Sequence, residues 1–417
     1  MKILIVTQTY WPDPNGQSVF TTHLAEGLAK AGHRVLVLMP AEGWRSACAP
    51  RRGVRLCRVP AVRMPWYDTV RLTPFPMLAA RRVVRGFRPD VVHIQDHYFL
   101  AEWVAREAAR QGIPLLGTNH FLPANLSQNF PLPPRLRPAL QPAIDALLWK
   151  SMLRVYNRLD FVTAPTATAA EILRRQRLVP PVMPISCGVD TDRFRPRPAA
   201  PREAMRRKYG LHPQKPLFLF VGRVDGEKRL DVLLHAAARL PRDDFQIAIA
   251  GKGLHAESLQ ALAETLRLGA RVRFLGYVPA ADLPGLLNAA DVFVMPSEAE
   301  LQSIATLEAM ASGLPVLAAR AQALPELVED GVNGYLFRPG DAADAARLMA
   351  RLLAERPRWE ALGAAGREKA LAHSLASTVQ HYEAAYRAAM TAHLKRAWAQ
   401  VPQGKGKKSR RGVWWKN

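Results

Sequence analysis

The stretch PSEAELQSIATLEAMASGLPVLAA, Pro296 to Ala319, contains the unit from which this chain is built. The apolar run VFVMPS that leads into it reads as a buried strand. A short loop carries Glu300, and a helix starts near Gln302. Gly313 stops that helix and Pro315 opens the next strand, so the order is strand, helix, strand. Glu308 falls eight residues after Glu300, about two turns along if the segment is helical. The N–H groups around Ser303 and Ile304 are expected to face the space beyond the strand end, where they suit a phosphate or sugar oxygen. Two carboxylates beside such a site are poor phosphate ligands and good acceptors for sugar hydroxyls. On spacing alone, that reading stands level with two solvated acids near a helix start, where acids are stabilised anyway.

The same alternation runs outward in both directions. Upstream, KILIVTQ is followed by a helical stretch from Ser18 to Ala31, then RVLVLMP and VRLCRVPAV. A helix near Met77–Arg85, DVVHIQD, another helix, IPLLGTNH, a helix around Ile144–Leu159, FVTAPT and VMPISCG complete the first half. VDTDRFRPRPAAPRE then breaks the pattern and reads as a linker. PLFLFVGR restarts it, and FQIAIAGKG, VRFLGYV, VFVMPS and PVLAAR continue it. Continuous apolar strands alternating with amphipathic helices predict an α/β chain of two doubly wound, Rossmann-like domains, residues 1–188 and 189–373, facing across a cleft. A helix over 374–398 is expected to pack back on the first domain, and 399–417 is a basic, aromatic tail too polar to pack and expected to be disordered. Ligands of such proteins bind at the carboxyl ends of the strands, so the cleft is the expected site.

Length and composition agree with this. The chain has 417 residues, 49% hydrophobic and 22% charged, which excludes a wholly disordered chain and suggests more than one domain. No apolar run approaches the ~18 residues of a membrane span. The opening MKILIVTQTYWPD is too short for a signal core, which places the protein inside the cell. Three cysteines, Cys48, Cys57 and Cys187, with no CxxC pair, do not suggest a disulfide framework.

A second element is FVGRVDGEKRLD, Phe220 to Asp231. Arg223 ends a strand and Lys228 precedes a helix, so both can reach one point in the cleft. A guanidinium and an ammonium there suit a diphosphate, each charge-assisted hydrogen bond contributing ~1.5–3 kcal/mol. Taken alone, two surface cations would be the simpler reading.

Together, Glu300-x7-Glu308, AMASGLPV and GRVDGEKRLD resemble the family-four retaining glycosyltransferases of the GT-B fold, over nearly the whole chain except the tail. The resemblance implies that Glu300 contacts a donor sugar, Glu308 the nucleotide ribose, and Arg223 with Lys228 the donor diphosphate. It also implies that Gly16 lets the backbone approach donor and acceptor, and that His120 in GTNHF nears the reacting centre. Tyr277 and Val278 resemble the base-binding strand end, and Gly251 in GKG is expected to line the nucleotide cleft with Ser303 and Ile304. GKG is no phosphate loop, since GK[ST] is missing, and no full GxGxxG supports a nicotinamide cofactor. No cofactor or metal is implied; the nucleotide sugar, UDP-glucose-like, is a substrate. Asp190-Thr191-Asp192 spells a metal–nucleotide DxD of another fold but matches this family's linker and reads as structural. His93, Asp96 and His97 have metal-capable side chains that do not converge from a strand end, and an acceptor-side rim is the reading adopted. The stretch Leu301-Gln302-Ser303-Ile304 departs from the glycine- and phenylalanine-containing stretch common in the family, and the nearest likeness is to lipid-directed members such as diacylglycerol glucosyltransferases.

Charge bears on the acceptor. The formal net charge is +23, and +18 of it comes from the Arg45–Arg88 segment, with eleven arginines and one acid, and from Lys395–Asn417, with eight basic residues and none. Each basic residue at an anionic leaflet contributes about 1 kcal/mol, and Trp398, Trp414 and Trp415 add interfacial rings. The expectation is hexosyl transfer to a lipid hydroxyl such as diacylglycerol by an enzyme held at the inner face of the cytoplasmic membrane. A soluble or polyprenyl-linked acceptor is the alternative. A nucleic-acid partner is not expected, because no binding module interleaves aromatic and basic residues.

Overall fold

The computed structural model describes residues 1–13, 15–64, 67–123, 135–197, 200–241 and 244–400. The strands in chain order are β1 (Lys2–Val6), β2 (Arg34–Pro40), β3 (Ala47–Arg51), β4 (Val54–Val59), β5 (Val62–Met64) and β6 (Tyr67–Leu72). They continue as β7 (Val91–Ile94), β8 (Leu115–Thr118), β9 (Phe161–Ala164) and β10 (Val182–Pro184). The second half holds β11 (Leu217–Val221), β12 (Gln246–Ala250), β13 (Val272–Gly276), β14 (Val292–Met295), β15 (Val316–Ala319) and β16 (Gly334–Phe337). The first sheet has the order β10-β9-β8-β7-β1-β2-β4-β3, the second β13-β12-β11-β14-β15-β16, and β5 pairs only with β6. All pairings within the two large sheets are parallel except β3 with β4.

Burial on both faces explains the unbroken apolar strands. In β1, Leu4 and Val6 enter the core on one side, while Ile3 and Ile5 enter the core on the other. Helices Pro76–Phe87, Phe99–Arg110 and Arg137–Tyr156 contribute to the first core, and helices Gly16–Lys30 and Leu375–Gln400 to the second. The last helix therefore returns from the second sheet to the first. Tyr382 anchors it, stacking on His93 at 5.4 Å and lying 5.6 Å from Phe20, with its hydroxyl 3.0 Å from Thr118 Oγ1 and 3.1 Å from Thr163 Oγ1.

The chain passes between the two sheets at Val189 and comes back at Ser374. These crossings are bonded side by side: Val189 donates to the His373 carbonyl at 2.8 Å, and Leu375 donates to the Val189 carbonyl at 3.0 Å. The tail residues 401–417 lie outside the described residues, as does the side chain of Trp398.

Two sequence expectations change. Cys48 and Cys57, directly opposed across β3 and β4, form a disulfide. Their separation of nine residues places them opposite one another only once the antiparallel turn exists, which spacing alone does not show. The arginine block is also less free than its sequence implies. Arg51 and Arg52 pair with Glu26, Arg71 lies within 3.8 Å of Asp13 and Glu42, and Arg81 and Arg85 pair with Glu107. The acids that answer these arginines come from outside the block.

The docking of the last helix is testable. Tyr382→Ala removes a fully buried ring and its hydroxyl contacts, and is expected to cost about 3–5 kcal/mol in urea unfolding of the full chain.

Candidate active site

In each sheet the strand order reverses at one place, between β1 and β7 in the first and between β11 and β14 in the second. Loops leaving neighbouring strands in opposite directions open a crevice there. Both crevices face a single cleft, which holds a cavity of about 370 Å3.

Gln8, Thr9, Asn15, Gly16 and Gln17 follow β1 and line the first wall, with Tyr98 after β7 and His120 and Phe121 after β8. Asn15 caps the Gly16–Lys30 helix by accepting from Ser18 N at 2.9 Å. Gly16 meets the opposite wall directly: a Cβ there would lie 4.0 Å from Ile304 Cδ1. His120 Nε2 donates to Gln95 Oε1 at 2.7 Å, which fixes its tautomer, and burial pushes its pKa down to about 3, so the ring is neutral.

The His93, Asp96 and His97 side chains part company. His93 is fully buried between Tyr386 Oη at 2.9 Å and Thr118 Oγ1 at 2.7 Å, so it belongs to the core and not to an acceptor rim. Asp96 accepts from Gln8 N at 2.7 Å, Tyr98 N at 3.1 Å and Gln17 Nε2 at 3.4 Å. Burial lifts its pKa to about 6 against those bonds. Among the described residues no cluster of His, Cys, Asp and Glu is arranged to hold a metal ion.

On the second wall, Arg223 and Lys228 follow β11, and Glu300, Ser303 and Ile304 follow β14; all five line the cavity. The cations are not waiting unpaired. Lys228 Nζ touches Glu300 Oε1 at 2.5 Å. Arg223, 41% exposed, reaches Asp225 and Glu227 at 2.6 Å each, and both of those acids are buried. Sequence reasoning missed Asp225 and Glu227, although both stand between the two cations in RVDGEK. Burial pushes the Glu300 carboxyl up, but Lys228, Ser297 and Arg223 outweigh it and hold the pKa below its usual value.

Ser303 starts the Ile304–Ala311 helix with φ +78°, in the left-handed region that favours glycine, and its Oγ accepts from Thr306 N at 3.3 Å. Ile304 and Ala305 bring the positive end of that helix to the cavity. Glu308 lies one turn further along the same helix, facing the linker residues Asp190 and Arg193 and outside the cavity lining. Asp190 accepts from Arg193 N at 2.9 Å, a local turn bond consistent with its structural reading.

Three other residues sit apart from the cavity. Gly251 packs where β11 and β12 end, and a Cβ there would lie 1.7 Å from the Gly222 carbonyl, so the glycine permits the strand ends to approach. Tyr277 is half exposed and Val278 packs on the second core, both just beyond β13.

Burial raises the Glu308 pKa from 4.5 to about 7, with Arg193 opposing and Asp190 adding to the rise. The folded state thus holds this proton more tightly than the unfolded chain, and its contribution to stability falls as pH rises from 4.5 through about 7. Glu308→Gln is expected to match the wild type in thermal melts at about pH 5 and to melt higher at about pH 8.

Comparison with known proteins agrees with this geometry. Residues 14–193 match the family model described as Glycosyltransferase Family 4, and residues 201–369 match Glycosyl transferases group 1. A GDP-mannose-dependent alpha-mannosyltransferase of Mycolicibacterium smegmatis is 31% identical over 92% of this chain and 97% of its own. A D-inositol 3-phosphate glycosyltransferase of Thermobifida fusca is 33% identical over 91% of this chain and 89% of its own. The structure of sucrose-phosphate synthase from Thermosynechococcus elongatus shares the fold, with a TM-score of 0.77 at 22% identity, covering 94% of this chain and 99% of that one. Two parallel-sheet domains across a cleft, family models matched on both halves and a relative aligned along nearly the whole length together make this chain a member of the GT-B glycosyltransferases of family 4 and group 1.

Proposed function

We propose that the chain transfers a hexose from a nucleoside diphosphate sugar to a lipid hydroxyl, with retention at the anomeric carbon and without a metal. The observation that carries the donor half is the contact of Lys228 with Glu300 beside Arg223 in one cavity. When the acceptor oxygen bonds to the anomeric carbon, the bond to the diphosphate breaks and negative charge builds on the leaving oxygen. Lys228, the free edge of the Arg223 guanidinium and the start of the Ile304–Ala311 helix lie ready to neutralise it. Lys228 leaves Glu300 for the phosphate, and Glu300 is then free to accept from sugar hydroxyls. Glu308 takes the ribose, Tyr277 and Val278 the base, and neutral His120 approaches the sugar from the acceptor wall. The same closed cleft orients both reactants.

UDP-glucose was the expectation from sequence, whereas the mannosyltransferase relative uses GDP-mannose. That relative and the inositol-phosphate enzyme do not share the narrower likeness to diacylglycerol glucosyltransferases. Both donors therefore belong in the first test.

The lipid half rests on the rim of the acceptor wall. Helices Pro76–Phe87, Phe99–Arg110 and Arg137–Tyr156 run antiparallel to the strands they cover, so their starts lie at the cleft edge. Phe75, Leu78 and Phe99 stand there 65%, 59% and 54% exposed, joined by Leu136 and Leu140, with Arg81 and Arg85 behind them. An apolar edge backed by cations suits the inner face of the cytoplasmic membrane. No helix among the described residues is long and apolar enough to cross it.

The purified chain, incubated with UDP-glucose or GDP-mannose and diacylglycerol vesicles, is expected to release the matching nucleoside diphosphate in the presence of EDTA. Lys228→Ala and Glu300→Ala are each expected to lower that turnover by at least a hundredfold; wild-type rates in both would remove the site assignment. Comparing lipid products with those from soluble and polyprenyl-linked acceptors identifies the acceptor class. Sedimentation with anionic vesicles is expected at low salt, reduced at high salt and by the triple substitution Phe75→Ser, Leu78→Ser, Phe99→Ser. Failure to pellet at low salt would count against a membrane acceptor.

A further inference from the structure

The loop that carries Glu300 is held by the opposite domain. Thr166 Oγ1 donates to the Leu301 carbonyl at 2.8 Å. Gln302 is 3% exposed, and its whole amide is used across the boundary: Oε1 accepts from Cys187 N at 2.8 Å and Nε2 donates to Ser186 Oγ at 2.9 Å. Next to it stands Ser303 in its left-handed conformation. A third tie lies further out, where Glu326 accepts from Ala167 N at 3.1 Å and Thr168 N at 2.7 Å, at the start of the helix that Thr166 caps. Ser186 and Cys187 immediately precede the crossing at Val189, so the clamp sits beside the hinge.

We propose that Gln302 is a positioning residue: its amide, seated on Ser186 and Cys187, sets the shape of the Glu300–Ser303 loop and completes the donor-sugar contact only when the two domains are closed on each other. Within its own domain the loop is tied through Ala323 N to the Glu300 carbonyl at 3.3 Å, a long bond that leaves Leu301 and Gln302 to the other domain. Opening about the hinge would break the Thr166, Gln302 and Glu326 contacts together, since all three join the same two bodies. An isolated donor domain would then carry the residues for the nucleotide while the sugar-contacting carboxylate lost its placement. The inference rests on the reading that Glu300 grips the donor sugar.

The test uses the full chain, with UDP-glucose and GDP-mannose as donors and UDP and GDP as sugar-free probes. Gln302→Met keeps the side-chain length and removes both hydrogen bonds. It is expected to raise the donor KM about tenfold and to lower kcat. The Kd of the matching nucleoside diphosphate, measured by calorimetry, is expected to stay within about twofold, because that probe lacks the group Glu300 would hold. Gln302→Glu, which still accepts from Cys187 N and Ser186 Oγ, is expected to recover part of the loss. Ser186→Ala is expected to shift KM in the same direction by less, and the double variant Ser186→Ala, Gln302→Met to be no worse than Gln302→Met alone. Wild-type kcat and KM in Gln302→Met would overturn the inference, as would equal losses for sugar donor and bare nucleotide. Should Gln302→Met fail to fold, Ser186→Ala decides: a raised donor KM with unchanged nucleotide Kd supports the clamp, and unchanged KM overturns it. Glu300→Gln in the same assay separates the two layers. Full activity there removes the donor-site reading itself, whereas a dead Glu300→Gln beside a normal Gln302→Met removes only the clamp.

Discussion

A lysine and a glutamate in contact inside a closed cleft set the terms for everything else in this structure. Lys228 and Glu300 come from loops after different strands, and their 2.5 Å contact brings the two halves of the donor wall together. Burying either charge alone would be costly, so each secures the other until a ligand supplies better partners to both. Arg223 is held the same way by Asp225 and Glu227. Two cations thus face three acids, and the wall is not the electropositive trap that a count of cations implies. A diphosphate enters by exchange, taking Lys228 from Glu300 and leaving that carboxylate to the sugar hydroxyls. One contact therefore links recognition of the leaving group to recognition of the group transferred.

Topology explains why the residues meet. Each sheet reverses its order once, and the functional side chains sit on the loops at those reversals: Gln8 and Gly16 after β1, Tyr98 after β7, Arg223 after β11 and Glu300 after β14. Strands and helices bear the packing, so these loops are free to differ in chemistry without disturbing either core. The paired crossings at Val189 and Ser374 then hold the two crevices opposite one another with a narrow connection.

Much of this was legible in the sequence because it depends on local pattern. Continuous apolar strands marked parallel sheets covered on both faces, the break at VDTDRFRPRP marked the crossing, and the spacing in Pro296–Ala319 placed Glu300 at a helix start. What was not legible depends on pairs distant along the chain. Glu107 answers Arg81 and Arg85, Cys48 finds Cys57 only across a formed hairpin, and His93 turns inward because Tyr386 arrives from the last helix. Gln302 was visible as a departure from the family pattern, but its meaning lay in Ser186 and Cys187, more than a hundred residues earlier. Gly251 was misread for the same reason, since what it approaches is the backbone of Gly222 on the neighbouring strand.

The two walls differ in a way that bears on the chemistry. Every charged residue lining the cavity, namely Arg223, Glu227, Lys228 and Glu300, belongs to the second wall. The first wall, among the described residues, offers amides, hydroxyls, aromatic rings and a histidine kept neutral by burial. Charge that develops on breaking the glycosyl–phosphate bond is therefore answered on the side where it arises, while the acceptor side presents hydrogen-bonding groups without net charge. Such a wall suits a neutral hydroxyl more than an anionic acceptor head, because nothing on it compensates the desolvation of a second negative group close to the departing diphosphate. Coupled to the exposed apolar rim formed by Phe75, Leu78 and Phe99, this asymmetry favours an acceptor that is polar at one end and greasy at the other.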